Sequence, residues 1–300
     1  MLPIVHHPDY RIPLRPRHPF PMSKYGYLRE ALEARGLISP GNGFAPAQAG
    51  ATVIARAHDP DYVARVLEGR LAPEETRRIG LPGSAKVARR ARLACAGTLL
   101  ATWLALEHGL AANAAGGSHH AGPEGGAGYC VFNDVGVAAA AVLAGDGPAP
   151  VLVVDCDVHQ GDGTARIFAE EPRVFTLSVH AARNYPAQKA RSDLDLALPD
   201  GTGDADYLEA LGAALEHALA AARPRLVYYN AGVDVWQGDR LGRLALTSGG
   251  IRARDRLVLG RIREAGLPLV CVLGGGYDDD PHRLAGHHAI LFEEAARLAG

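Results

Sequence analysis

Apolar residues along this chain follow two alternating rhythms. Short unbroken runs such as Val151–Val154, Leu226–Tyr229 and Leu269–Leu273 are bounded by glycine, proline or polar residues. Runs of that length with breakers on both sides predict buried strands of a parallel sheet. Longer stretches repeat every three to four residues and predict helices. These are Ser23–Arg35 stopping at Gly36, Ala85–Glu107 stopping near Gly109, a helix opening at Asn133 or Asp134, Thr164–Glu171, Ala205–Ala222, Ser248–Ala265 and Pro281–Leu298. Further strands are predicted at Leu2–Val5, Thr52–Arg56, Val174–Val179 and in the small-residue run after Leu110. Asp59–Glu68 predicts a helix capped by Asp59, and His180–Asp204 a polar loop.

Strand and helix in strict succession specify an α/β fold, an open parallel sheet with helices on both faces. At 300 residues and 48% hydrophobic content the chain can bury one large core, and no linker or fixed repeat divides it. Residues 1–300 therefore read as a single domain.

Composition narrows the classes of function. With 31 basic and 33 acidic residues the net charge is −2, which gives no electrostatic reason to expect nucleic acid or a membrane surface as partner. The arginine-rich stretches Arg77-Arg78 and Arg89-Arg90-Ala91-Arg92 read as solvated helix faces. Cys95, Cys130, Cys156 and Cys271 are widely spaced in apolar surroundings and form no CxxC pair, so buried reduced thiols are expected. The first residues lack the apolar core of a signal peptide, and no run approaches the ~18 apolar residues of a membrane span. A soluble cytoplasmic protein is the expectation.

The candidate chemistry gathers at Val151–Gly163, VLVVDCDVHQGDG. An apolar strand runs straight into Asp155, Asp157 and His159, and while the chain stays extended, residues two apart share a face. Ligands just beyond the carboxyl end of a parallel strand sit where open α/β sheets place their active sites. Burying two carboxylates and an imidazole there would cost several kcal/mol without a cation or other partner. A metal site explains the whole group. A capped helix start explains only Asp162. His119 and His120 lie in a glycine-rich loop with no clean GxGxxG pattern, Asp234 follows another strand, and Tyr277 follows LGGG. Singly, Asp234 reads as a loop or capping residue and Tyr277 as a half-buried aromatic; their position after successive strands draws them to one edge. His6, His7 and His18 read as ordinary loop histidines.

The segments GGSHHAGPEGGAGYCVFND, VLVVDCDVHQGDGT, YYNAGVDVWQGDRLGRLALT and LGGGY resemble the histone deacetylase family of zinc-dependent amidohydrolases, in the family's order. HPFPMSKY and AHDPDYVARV are smaller matches, and the short NAGVDVWQGDRLG segment and the NYPAQKARSDLDLALPDGTGDADYL loop look most like the class IV type and its bacterial relatives. The resemblance implies the arginase/deacetylase fold and removal of acetyl or longer fatty-acyl groups from acylated lysine. It implies Asp157, His159 and Asp234 as zinc ligands, a donor set that ferrous iron also suits. His119 backed by Asp155, and His120 backed by Asp162, become the tandem catalytic histidines, and Tyr277 the residue that polarises the substrate carbonyl. Gly128 and Tyr129 match a tunnel-lining pair, and Asp155 and Ser178 border a potassium site.

One departure concerns the rim. Many members of the family carry an acid there that clamps the peptide backbone, and Leu81-Pro82-Gly83-Ser84 has none. Either the substrate is not a peptide or the rim is looser and tolerates longer acyl chains. Acetylpolyamines and other small acylated amines suit the same chemistry. A dinuclear manganese hydrolase of arginase type would need more carboxylates than Asp155, the one obvious extra candidate. A catalytically silent acyl-lysine binder would not need every catalytic group to be present.

Overall fold

In the computed structural model, which describes residues 1–299, the strands are β1 (Ile4–Val5), β2 (Gly43–Phe44), β3 (Leu110–Asn113), β4 (Val151–Asp155), β5 (Val174–Ala181), β6 (Leu194–Leu198), β7 (Leu226–Asn230) and β8 (Leu269–Val272). They pair in parallel in one sheet, ordered β2-β1-β3-β8-β7-β4-β5-β6. The helices are α1 (Lys24–Ala34), α2 (Ala51–Ile54), α3 (Pro60–Leu67), α4 (Pro73–Ile79), α5 (Ala85–His108), α6 (Asp134–Ala144), α7 (Asp162–Ile167), α8 (Asp204–Ala222), α9 (Ser248–Glu264) and α10 (Pro281–Leu298).

The central strands β4 and β7 carry apolar or aromatic residues at every position before their last, Asp155 and Asn230, because both faces are covered. Leu152, Val154, Val227 and Tyr229 enter one core with α1, α8, α9 and α10. Their neighbours Val151, Val153, Leu226 and Tyr228 enter a second core with α5 and α6 on the other side. Alternation between two buried faces turns a period-two pattern into a continuous apolar run. The expected caps hold the helix starts. Asp59 accepts from two backbone N–H groups of α3, Ser84 from Val87 N at 3.3 Å, and Asn133 from Gly136 N at 2.8 Å. No described helix is long and apolar enough to cross a membrane.

The order of strands places the site. From β4 the chain proceeds outward through β5 and β6, then returns to β7 and β8 on β4's other side. The boundary between β4 and β7 is thus a topological switch point, where the following loops part and leave a crevice at the carboxyl edge. Asp155 pairs in register with Asn230 of β7, so those two strand ends stand level, and with Ser178 of β5, which runs on to Ala181.

Some expectations need correction. Thr52–Arg56 is not a strand: Ala51–Ile54 forms α2, with Gly50 at its N-cap and Ile54 buried against neighbouring helices. Tertiary packing here overrides the β-propensity of Thr, Val and Ile. The loop His180–Asp204 contains β6, whose LDLAL alternation belongs to a half-buried edge strand. Helix α4 and the two-residue strand β2 carry no signal in the sequence pattern, and the helix expected over Thr164–Glu171 is α7, which begins at Asp162 and ends at Ile167. Arg90 does not lie on a solvated face. It is 6% exposed, donates to Tyr10 O at 2.9 Å and stacks 4.6 Å from the Tyr25 ring.

Candidate active site

Strand β4 ends at Asp155, and the chain then bends, so the two-residue alternation does not carry Asp155, Asp157 and His159 to one target. Asp157 and His159 lie in the turn before α7, and Asp234 in the turn after β7. These three converge, fully or nearly buried, with one donor atom from each within 4.8 Å of the others. His159 Nδ1 stands 3.0 Å from Asp157 Oδ1 and 3.1 Å from Asp234 Oδ2.

Electrostatics and space both fit a cation among these donors. Burial opposes the charge on Asp157, but His119 and the hydrogen bond from His159 overrule it and hold its pKa well below the ordinary value. Burial, then the Asp157 charge, pushes Asp234 up. Burial also disfavours a charged His159, yet the two carboxylates lift it to about 10. Asp157 and Asp234 thus share the His159 imidazole, with His119 Nε2 a further 3.7 Å from Asp157, and among the described residues no Lys or Arg is bridged to either carboxylate. A divalent ion bound by the three donors removes the conflict between those two charges. Room is kept by Gly275, where a Cβ would stand 2.0 Å from Asp234 Oδ2 and 2.8 Å from Asp157 Oδ2.

The tandem histidines approach from the loop after β3. Asp134, at the first turn of α6, pins that loop by accepting from Ser118 N at 2.8 Å and Gly117 N at 3.3 Å. His119 Nδ1 meets Asp155 Oδ2 at 2.7 Å, and His120 Nδ1 meets Asp162 Oδ1 at 2.6 Å. Because each Nδ1 faces a carboxylate, each is assigned the proton, which leaves Nε2 of a neutral ring as the acceptor. The two histidines differ in charge. Burial disfavours a charged His119, but Asp155 and Asp157 outweigh it and raise it to about 9. Burial and then the His119 charge lower His120 to about 3.

Tyr277 follows β8 with its ring 6.3 Å from that of His159, nearly perpendicular, and its hydroxyl makes no hydrogen bond among the described residues. Burial, then the charges of Asp234 and Asp157, keep the phenol protonated. Gly128 and Tyr129 wall the approach. Gly128 has φ +52°, and a Cβ there would strike His120 Cδ2 at 2.6 Å. Tyr129 packs 6.1 Å from Tyr277 and 5.2 Å from Phe20. The inner chamber, of about 30 Å³, is lined by His119, His120, Asp157, His159 and Tyr277 together with Phe20, Tyr25 and Arg90; a mouth of about 440 Å³ adjoins it through His120, His159 and Tyr277. Ser178 is beside Asp155 across the strand pair, but its hydroxyl lies 3.0 Å from His180 Nδ1 and accepts from Gly161 N at 3.3 Å.

Several residues that shape the site had no signal in motif spacing. Asn230 donates to Asp155 Oδ1 at 2.9 Å. His58 links two loops, its Nδ1 2.8 Å from Gly122 O and its Nε2 accepting from Asn133 N at 2.9 Å. Buried Arg254 donates to the carbonyls of Cys156 and Gly232, next to two of the converging ligands, and pairs with Asp255 at 2.9 Å. Asp239 accepts from Tyr277 N at 2.6 Å. Tyr185 stands perpendicular to His120 with centroids 4.8 Å apart, opposite the Tyr129 wall; a tyrosine before proline in a polar loop was its only trace. In the N-terminal loop, His7 and His18 each accept a backbone N–H two residues on and serve local turns.

A family model described as the histone deacetylase domain matches residues 18–291. An uncharacterized protein of Picosynechococcus sp. is 47% identical over 293 residues, 98% of each chain. Histone deacetylase 2 of Arabidopsis thaliana is 34% identical over 275 residues, covering 87% of this chain and 70% of the relative. A solved acetylpolyamine aminohydrolase from Burkholderia pseudomallei has the same fold, with a TM-score of 0.81 over 99% of both chains at 23% identity.

Proposed function

The chain belongs to the histone deacetylase family, and on that premise we propose that it hydrolyses the amide joining an acyl group to the side-chain amine of lysine, with residues 1–300 working as one catalytic domain. The observation that carries this reading is the pairing of His119 with Asp155 and of His120 with Asp162 beside the buried Asp157, His159 and Asp234, at the end of a tunnel floored by Tyr277.

Asp157, His159 and Asp234 would hold zinc, or ferrous iron on the same donors. A bound ion supplies a Lewis acid that polarises the amide carbonyl and makes water at the site more acidic. The chain's own groups do the rest. Asp162 holds the proton on His120 Nδ1, so Nε2 is free to accept the proton of the attacking water. The proton held on Nε2 then passes to the leaving amine. His119, anchored on Asp155 at 2.7 Å, sets its ring 4.1 Å from that of His120. The Tyr277 hydroxyl, protonated and without another partner, donates to the carbonyl oxygen as negative charge develops on it. Gly128, Tyr129 and Tyr185 enclose the aliphatic stem of the lysine. Asp155 and Ser178 would border a potassium ion behind the site.

The inner chamber sets the acyl group. At about 30 Å³ it holds roughly two water-sized spheres, enough for an acetyl methyl and its carbonyl. A fatty chain would have to displace Phe20 or Tyr25. The test is hydrolysis of matched fluorogenic acyl-lysine peptides from acetyl to myristoyl, with zinc supplied and Asp157→Ala as control. Acetyl should turn over fastest. A maximum at myristoyl would overturn the size argument, and no turnover at any length by the zinc-loaded protein would overturn lysine deacylation.

A further inference from the structure

The mouth of the tunnel has a charge opposite to that of the chain. The whole sequence carries −2, yet the cavity of about 440 Å³ above the histidines is lined by Arg77, Arg78, Arg183 and Arg243 and by no carboxylate. Three separate segments supply these groups: α4, the loop after β5 and the loop after β7. Their charge is only partly balanced. Arg183 and Arg243 share one acid, Asp200, at 2.7 and 3.1 Å. The acid nearest Arg77 is Glu74 at 3.8 Å, with both side chains 75% exposed. Arg78 donates to the Gly126 carbonyl and, among the described residues, to no acid. The adjoining depression, by contrast, sets Glu124 and Asp162 against Arg78 and Arg166. The excess at the mouth therefore does not extend into that depression.

An acyl-lysine whose amide reaches His120 leaves its α-carbon and flanking groups in this mouth. We propose that the arginine rim selects substrates carrying a carboxylate beside the acylated lysine and turns away polycations. The reading rests on the lysine deacylase activity proposed above. Guanidinium groups match carboxylates in planar, two-point fashion, and an unbalanced cluster attracts anions before contact. An acidic residue would do the opposite, and none lines the mouth. The carboxylate has two sources, the α-carboxylate of free acyl-lysine and an acidic side chain flanking it in a peptide.

The experiment measures kcat/KM of the zinc-loaded full chain on acetyl-lysine peptides with aspartate, alanine or arginine on both sides. Free Nε-acetyl-lysine, its methyl ester and acetylspermidine complete the set. Acidic flanks should exceed basic flanks about tenfold at low salt, with acetylspermidine slowest. The ratio should shrink toward one in 0.5 M NaCl as the rim is screened, and in the double variant Arg78→Gln/Arg243→Gln. Preference for free acetyl-lysine over its ester, with peptides indifferent to flank, would assign the α-carboxylate as the source; the reverse would assign acidic side chains. Equal rates across the whole set, preference for basic flanks, or a ratio unchanged in the double variant would overturn the proposal and leave deacylation standing. No turnover of any member would overturn both.

Discussion

Tyr277 is placed by backbone, and its chemistry rests on one oxygen. Its N–H donates to Asp239 and its carbonyl accepts from Arg240 N at 3.0 Å, so the ring stays put when the hydroxyl is removed. Tyr277→Phe should lower kcat by ~10²–10³ while KM and melting temperature hold, the loss typical of one oxyanion donor. Steady-state kinetics beside a thermal melt checks this, and unchanged kcat would remove the role. His58 acts on stability instead. Burial lowers its pKa to about 4 from an ordinary 6.5, because the folded protein needs one nitrogen as donor and the other as acceptor. Between those values the unfolded chain binds the extra proton, so this residue's contribution falls as pH drops from 6.5 toward 4, by on the order of 3 kcal/mol. Urea unfolding across that range should show a shallower pH slope for His58→Gln than for wild type. Identical slopes would contradict it. The residues that meet at the edge were legible because each follows a strand or sits in a marked motif. His58, Asn230 and Arg254 were not, because what makes them matter is the backbone atom each one reaches across the fold.

At the level of elements, Arg254 shows how the loops after β4 and β7 are tied. It lies on α9, fully buried, and reaches the carbonyls of Cys156 and Gly232 while Asp255 accepts from it and from Tyr229. Arg254→Met should cost ~3–5 kcal/mol, because it strands the Asp255 charge and two carbonyls. Arg254→Met/Asp255→Asn should regain part of it, since the charge goes too. Denaturant unfolding of both variants reads the difference, and equal losses would mean that the stranded charge is not the cause. The long elements were legible: α5 runs from its Ser84 cap to Gly109, with φ +82°, as spacing and breakers foretell. The short ones were not. In α2 only four residues carry the pattern, and packing of Ile54 decides the conformation. Helix α4 has only seven residues, yet its carbonyls at Arg78 and Ile79 accept from Gly128 N and Tyr129 N and set the tunnel wall. Edge strand β6 alternates cleanly, but its polar half made LDLAL look like part of the surrounding loop.

For the whole molecule the decisive feature is the reversal of strand order between β4 and β7, which lets two loops aim Asp157, His159 and Asp234 at one point. The apoprotein holds like charges together there, so binding zinc should be coupled to stability. At a free concentration a hundredfold above Kd the gain is about 2.7 kcal/mol, seen as a rise in melting temperature that Asp157→Ala abolishes. The number of ions follows from the hydrogen bonds. A second ion, as in a dinuclear hydrolase, would sit ~3.5–4 Å from the first and need further carboxylate oxygens. Asp155 is the nearest candidate and both its oxygens are engaged: Oδ2 with His119, Oδ1 with Asn230 and the Asp157 N–H. Freeing it would release His119, whose charge depends on it. Zinc analysis of protein dialysed after loading should therefore give one zinc per chain, and Asp155→Ala should keep that zinc while losing activity. Two ions per chain would overturn the single-ion site and favour the arginase-like alternative. One ion in wild type and none in Asp155→Ala would make Asp155 a ligand rather than the support of His119.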